Sequence, residues 1–257
     1  MFGSLFGKKK KKEASPSFEG LEPMKVDMHS HLLPGIDDGA QNMEESLAMI
    51  ERFVGMGYRK LITTPHIMSD FYRNTPEIIM GKLDAVRQEV AKRGWDVQLE
   101  AAAEYYLDED FLDKLKKKEP LLTFGDRYLL FETSYMNANS YLGQAIFMMQ
   151  SQGYKPVMAH PERYTYWFGK NQEIKEVWEK GVHMQVNLLS LSGYYSKPSK
   201  DIAEWLIDQK MVSFVGTDCH RDKHQDALEQ VRKLGSYHKL LQLPLLNNRL
   251  LEQAARP

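Results

Sequence analysis

The sequence predicts an α/β fold in which seven strand–helix units place parallel strands in a closed barrel wrapped by helices. Three observations predict it. From residue 24 onward, short apolar runs, many of them β-branched, alternate with longer segments of helical spacing, and such alternation implies parallel strands joined by right-handed crossovers. The units number seven, with no long polar strand among them, as expected for a barrel rather than an antiparallel sheet. An open doubly wound sheet is the competing architecture and usually carries a Gly-rich phosphate loop after its first strand. Neither G-x-G-x-x-G nor G-x-x-x-x-G-K-[ST] occurs there. The 257 residues suit one such domain over 23–257, preceded by a basic tail over 1–22.

The elements follow in order. Met24–Met28 reads as the first strand and ends at the Pro34-Gly35 break and an acidic corner, Asp37-Asp38-Gly39. A helix over Met43–Met56 starts at the cap Asn42, holds Glu44 and Glu45 in its first turn and stops at Gly57. Strand two is Lys60–Thr63. The next helix spans Thr75–Arg93, with Pro76 at its start and Gly94 past its end. Strand three covers Val97–Ala103, and a charged helix covers Glu109–Lys118. Strand four is Tyr128–Phe131, followed by a helix over Ala138–Ser151 that ends at Gly153. Strand five is Pro156–Ala159, with a helix over Gln172–Lys180. Strand six is Val182–Val186, with a helix over Ser199–Asp208. Strand seven is Val212–Val215, and helical segments fill Gln225–Ala255.

Composition narrows the class. A net charge of −1 gives no global field for nucleic acid. No apolar run reaches membrane-span length, and no h-region follows the lysine run to make a signal peptide. A single cysteine, Cys219, excludes an intramolecular disulfide and suits a reducing cytoplasm. The tail carries Phe2, Leu5 and Phe6 ahead of Lys8–Lys12. It reads as a solvated segment, or as a weak contact with an anionic membrane surface, each lysine contributing about 1 kcal/mol.

Ligand-type residues fall where the strands end. His29 and His31 stand two apart on extended chain, so both rings face one side. Asp38 lies just beyond. His66 follows strand two, Glu104 strand three, Glu132 strand four and His160 strand five. Asp218 and His220 repeat the two-residue spacing after strand seven. Strand six alone departs, with Asn187. In a parallel barrel these ends share one rim. Five of the eight histidines and four carboxylates would converge there, more than the four to six ligands one ion takes. Two or three divalent ions sharing carboxylates are therefore expected. The mixed donor set suits manganese foremost, or iron or zinc, and not a thiolate site. His183, His224 and His238 are expected to be structural.

The phrases Asp27-Met28-His29-Ser30-His31, Asp37-Asp38-Gly39, Thr64-Pro65-His66, His160-Pro161-Glu162-Arg163 and Asp218-Cys219-His220, with Glu104, resemble the PHP (polymerase and histidinol phosphatase) superfamily. Within it the chain is most similar to bacterial tyrosine-protein phosphatases of capsule and exopolysaccharide operons. His31–Gly39 and Ala159–Tyr164 carry that likeness, which covers residues 24–250. The resemblance implies a (β/α)7 distorted TIM-like barrel and a trinuclear metal site. One ion would take His29, His31, Glu104 and Asp218, a second Glu104, Glu132 and His160, and a third Asp38, His66 and His220. Asp38 and Glu132 replace histidines of many PHP proteins, which favours the tyrosine phosphatase branch. The partner it implies is a bacterial tyrosine kinase at the inner membrane, tied to polysaccharide export.

The chemistry expected is phosphomonoester hydrolysis. Three divalent ions outweigh four carboxylates, so a phosphate dianion is attracted. Metals lower the pKa of bound water to about 7, which makes hydroxide available for in-line attack. Arg163 and Arg221 are the candidates to grip the phosphate. The cysteine route is excluded, because C-x5-R would need Arg where Gln225 stands. Tyr105, Tyr106, Tyr135, Tyr164, Tyr166, Trp167, Phe168, Tyr194 and Tyr195 cluster after strand ends, where some could wall a slot for the substrate ring. Rival readings are a small-molecule phosphatase acting on a compound such as histidinol phosphate, a nuclease-like phosphoesterase, a metal amidohydrolase, and a non-catalytic regulator that docks the kinase. An amidohydrolase would usually carry Lys at the strand-four position held by Glu132.

Overall fold

The computed structural model describes residues 23–252. The tail with Phe2, Leu5, Phe6 and Lys8–Lys12 lies outside the described residues, as do residues 253–257. The strands are β1 (Val26–Asp27), β2 (Lys60–Thr63), β3 (His66–Ile67), β4 (Gln98–Ala101), β5 (Glu104–Tyr106), β6 (Tyr128–Glu132), β7 (Lys155–Ala159), β8 (His183–Asn187) and β9 (Val212–Gly216). All pair in parallel, in two ladders ordered β1-β2-β4 and β3-β5-β6-β7-β8-β9.

The nine segments are seven strands with two interruptions. Pro65 has no N–H to donate, so the ladder of β2 with β4 breaks there. It resumes with β3 and β5, Glu104 N donating to Pro65 O at 3.1 Å. The third strand therefore divides at Ala102-Ala103 instead of running unbroken over Val97–Ala103. The seventh strand returns to the first at their carboxyl ends: Ser30 and Cys219 form a parallel bridge, Asp218 N donates to His29 O (2.8 Å) and His31 N donates to Cys219 O (2.9 Å).

Nearer the amino ends, β1 and β9 share no ladder among the described residues, and a side chain fills the seam. Asn247 Nδ2 donates to Val26 O (3.2 Å) and Val215 O (2.7 Å), while Asn247 Oδ1 accepts from Val215 N (2.9 Å). Leu250, from the same 3-10 turn (Asn247–Leu251), enters the inner core with Val26, Met28, Ile62, Leu130, Val157 and Phe214. The larger core lies between strands and helices, around Ile50, Phe53, Leu83, Phe131, Met158 and Leu206.

The helices are α1 (Met43–Gly55), α2 (Pro76–Arg93), α3 (Glu109–Lys117), α4 (Leu142–Ser151), α5 (Asn171–Glu179), α6 (Lys197–Asp208), α7 (Asp222–Val231) and α8 (Gly235–Leu241). Asn42 caps α1 by accepting from Glu45 N, as the sequence indicates. Several boundaries differ from expectation, three of them for a visible reason. The first strand's ladder is only two residues long, because the chain past Asp27 turns towards the site. The fourth helix starts at Leu142, not Ala138, because Asn139 ties the preceding loop to Leu107 O and accepts from Tyr141 N. The C-terminal helical stretch is broken into α7, α8 and the 3-10 turn, with Pro244 between the last two.

Candidate metal centre

All nine predicted ligands meet at the carboxyl end of the strands. His29 and His31 lie just past β1, Asp38 in the turn beyond, His66 opens β3, Glu104 opens β5 and Glu132 closes β6. His160 and Asp218 follow β7 and β9, and His220 comes two residues later. Three groups have ligand atoms mutually within 4.8 Å: His29, His31, Glu104 and Asp218; His31, Asp38, His66 and His220; and His66, Glu104 and Glu132.

The first group is the deepest, with all four residues buried. His29 Nε2 is 3.2 Å from Glu104 Oε2 and 3.4 Å from Asp218 Oδ1, while His31 Nε2 is 3.5 and 3.3 Å from the same atoms. Four donors at about 2.0–2.1 Å from a tetrahedral ion stand about 3.3–3.4 Å apart, so these separations fit a divalent cation. The tautomers fit as well. Nδ1 of His29 donates to Gln185 Oε1 (2.8 Å) and Nδ1 of His31 donates to Asp37 Oδ2 (2.8 Å), which leaves both Nε2 lone pairs aimed at one point.

Glu104 links this group to the rest. Its Oε2 is 3.2 Å from His66 Nδ1 and its Oε1 is 3.0 Å from His160 Nε2. Glu132 reaches His66 Nδ1 at 3.2 Å and His160 Nε2 at 3.8 Å. His66 therefore stands beside both Glu104 and Glu132, where the resemblance placed only His160. Its other nitrogen, Nε2, lies 3.5 Å from Asp38 Oδ1, and His220 Nε2 lies 3.3 Å from the same oxygen. Buried His66 Nδ1 and Glu132 Oε2 lie near oppositely charged groups yet make no well-directed hydrogen bond. Buried polar atoms are almost always paired, and a cation would complete these two.

Electrostatics keep the acids ionised. Burial pushes the Glu104 carboxyl up, but His29 and His66 beside it outweigh that and hold it well below the ordinary range. Asp218 is lowered in the same way, chiefly by His29 and His220. Burial and neighbouring His31 push the His66 proton affinity down, while Glu104 and Glu132 push it up more strongly, to about 9.

Backbone conformation also marks the site. His160 and Asp218 adopt left-handed φ of 32° and 49°, a conformation that costs a non-Gly residue energy and recurs at functional sites. Gly216 and Gly39 permit close approach: a Cβ on Gly216 would lie 2.5 Å from His29 Cβ, and one on Gly39 2.1 Å from His31 O.

Arg163 is at the site but engaged. Its guanidinium donates to Asp218 Oδ2 at 2.5 Å and lies against the rings of Tyr135 (4.8 Å) and Tyr195 (4.0 Å). Neighbouring Glu162 does not pair with it and accepts from Asn187 N and Ser190 Oγ. Arg221 is exposed at the start of α7 and lines a cavity of about 450 Å³ with Glu45, Met49 and His220. Cys219 is buried with its Sγ near Met49, and burial pushes its thiol well up.

Several site residues were not singled out from sequence. Asp37 orients His31 and Gln185 orients His29. Asn187 Nδ2 donates to Asp218 Oδ2 at 3.1 Å, so the strand that lacked a ligand still serves the centre. A register shift between Met184 and Gln185 aims that strand's carboxamides. The available signal was Gln185 and Asn187 alternating with Met184 and Val186. His224 also lies nearer than expected: its Nδ1 accepts from His220 N at 3.3 Å, and burial with His220 holds it at about 4. Of the aromatics, Tyr135 stacks on His160 and Tyr195 on Arg163, whereas Tyr105 and Tyr164 are buried and hydrogen-bonded into the fold.

The chain is similar to several known proteins. The family model described as "Capsular polysaccharide synthesis, CpsB/CapC" matches residues 25–234. The chain is 30% identical to tyrosine-protein phosphatase YwqE of Bacillus subtilis, over 77% of this chain and 78% of that protein. It is 29% identical to tyrosine-protein phosphatase CpsB of Streptococcus pneumoniae, over 76% and 82%. A crystal structure from a study of YwqE of B. subtilis and CpsB of S. pneumoniae, described as unique metal-dependent tyrosine phosphatases, superposes with a TM-score of 0.76 at 26% identity, covering 90% of this chain and 96% of that one. A lactonase from Listeria monocytogenes shares the fold alone, with a TM-score of 0.55 at 12% identity. On the match over 25–234 and the 30% identity to YwqE, this chain belongs to the CpsB/CapC family of capsular polysaccharide synthesis proteins.

Proposed function

We propose that the chain is a metal-dependent protein-tyrosine phosphatase, a phosphoric monoester hydrolase that attacks phosphotyrosine with water-derived hydroxide. Its proposed substrate is a bacterial tyrosine kinase that controls capsule or exopolysaccharide synthesis. The observation that carries the reading is the shared carboxylate: Glu104 lies within 3.2 Å of ligand nitrogens from His29, His66 and His160 at once. The proposed cofactor is two or three divalent ions, manganese foremost, with iron or zinc as alternatives. Such ions lower the pKa of water to about 7 and neutralise phosphoryl oxygens.

The protein's own part is positional. Gln185 and Asp37 hold the Nδ1 protons of His29 and His31. Asn187 and Arg163 hold Asp218 Oδ2, leaving Oδ1 turned to the histidines. Arg163 has five N–H donors and uses one on Asp218; the others are assigned to the substrate phosphate, with exposed Arg221 as a second grip on the rim. A phenolate leaves readily because its pKa is about 10, so no strong general acid is required. The site is placed in the cytoplasm, with the Lys8–Lys12 tail proposed to touch anionic lipid at the inner membrane.

Assaying a phosphotyrosine peptide, histidinol phosphate and short DNA in parallel, with manganese-loaded protein, tests the proposal. Peptide turnover that chelation abolishes and iodoacetamide leaves intact is expected, since Cys219 is buried and its thiol raised. Preference for histidinol phosphate, or inactivation by alkylation at Cys219, would sink it.

A further inference from the structure

Two of the most exposed large apolar side chains among the described residues flank the metal centre. Phe71 is 73% exposed and Met136 is 75% exposed. Each is the chain neighbour of a tyrosine that lies flat on a candidate ligand. Tyr72 stacks on His66 (5.4 Å between centroids, 17°) and Tyr135 stacks on His160 (5.5 Å, 23°). Both histidines face the Glu132 carboxylate, at 3.2 and 3.8 Å.

Neither apolar side chain is exposed for want of local structure. Met68 N donates to Tyr72 O (2.9 Å) and Tyr72 N to Met68 O (3.0 Å), which makes a tight hairpin that holds Phe71 outward. Met136 N and Asn137 N both donate to Ser134 Oγ at 3.3 Å, winding the second loop so that Met136 points to solvent. Apolar anchors held in place before binding lose little entropy when a partner covers them, and aromatic and Met side chains are enriched at such contacts.

We infer that Phe71 and Met136 are specificity-determining residues that grip apolar side chains on both sides of the phosphotyrosine in an extended peptide. The inference rests on the phosphotyrosine reading proposed above and deepens it. Its geometry follows from the strand order. Phe71 lies in the loop after β3 and Met136 in the loop after β6, and these strands are two steps apart in β3-β5-β6, about 10 Å at the usual strand spacing. In an extended peptide, side chains alternate faces, so those two residues before and two residues after the phosphotyrosine turn to the same side as its ring. They stand about 13 Å apart, enough to reach from the loop after β3 to the loop after β6. The adjacent positions point away and carry no preference.

The test uses manganese-loaded full-length protein and two phosphotyrosine pentapeptides. One has leucine at the second position on each side, the other serine there, and both have glycine next to the phosphotyrosine. p-Nitrophenyl phosphate serves as the flank-free control. The leucine peptide is expected to show about five- to tenfold higher kcat/KM, through KM. Phe71→Ser and Met136→Ser should each shrink that preference while leaving p-nitrophenyl phosphate turnover unchanged. Equal KM for the two peptides, or an intact preference in both variants, would overturn the inference. So would a change in sedimentation or in liposome recovery with peptide KM unmoved, which would assign the rim to a second copy of the chain or to lipid. No turnover of either peptide by loaded wild-type protein, with another phosphomonoester hydrolysed, would overturn the phosphotyrosine reading itself and this inference with it.

Discussion

His66 faces three acids at the centre, with Nδ1 3.2 Å from both Glu104 and Glu132 and Nε2 3.5 Å from Asp38. Those acids raise its proton affinity to about 9, so the metal-free protein holds an imidazolium there at pH 7. A divalent ion must displace that proton. Manganese affinity of metal-free protein should therefore rise from pH 6 to pH 9, and calorimetry in buffers of different ionisation enthalpy should register proton release; a heat independent of buffer would refute this. A second residue-scale expectation concerns Gly216, where a Cβ would meet His29 Cβ at 2.5 Å and Gln185 Nε2 at 2.8 Å. Gly216→Ala should cost about 1–3 kcal/mol of stability and weaken manganese binding, read by urea denaturation and titration. The convergence of the nine candidate ligands was legible in the sequence because residues just past the ends of parallel strands share one rim. The supporting roles of Gln185 and Asn187 were not, since a carboxamide carries no metal signature. Nor does the pair Asp37-Asp38 reveal which acid turns inward to His31; the turn that ends with Asp37 Oδ1 accepting from Gly39 N decides it.

At the scale of elements, the seven strands were legible from apolar runs, while their interruptions and the closing seam were not. Pro65 was visible, yet only the neighbouring strand shows that a ladder breaks and resumes beside it, which puts His66 and Glu104 inside paired strands. The seam between β1 and β9 depends on a side chain 32 residues from Val215 and 221 from Val26, a contact no local pattern encodes. Asn247→Ala would leave Val26 O, Val215 O and Val215 N without this partner in a buried seam, at a cost of about 2–4 kcal/mol. Leu250→Ala would open a cavity among Val26, Ile62 and Phe214 and cost about 2–5 kcal/mol. Both changes lie away from the carboxyl-end rim that carries the ligands. Urea denaturation should therefore show the loss, while kcat per folded molecule stays at the wild-type value; a fall in kcat as large as the fall in stability would mean that the two ends are coupled.

For the whole molecule, the centre acts as a cross-link. Six of the seven strands lend a candidate ligand at or beyond their carboxyl ends, and the remaining one, β8, holds His29 and Asp218 through Gln185 and Asn187. A cation bound there joins segments from residue 29 to residue 220, and the unfolded chain cannot present that arrangement. Binding to the folded state alone stabilises by about 2.7 kcal/mol at a hundred times Kd, which for a chain of this size raises Tm by about 5–10 °C per site. Manganese should therefore raise the Tm of metal-free protein by at least that amount, and chelation should reverse it. The variants should rank by how many ligand groups they break. Glu104 belongs to two of the three groups, whereas Asp38 belongs to one and is half exposed. Glu104→Gln should remove nearly all of the manganese-induced shift, and Asp38→Asn only part of it. The metal-free Tm of Glu104→Gln should also differ from wild type, because the buried carboxylate that offsets His29, His66 and His160 is gone. Equal shifts in the two variants would mean that the groups bind independently of the shared carboxylate, and the linked centre would have to be replaced by separate single-ion sites.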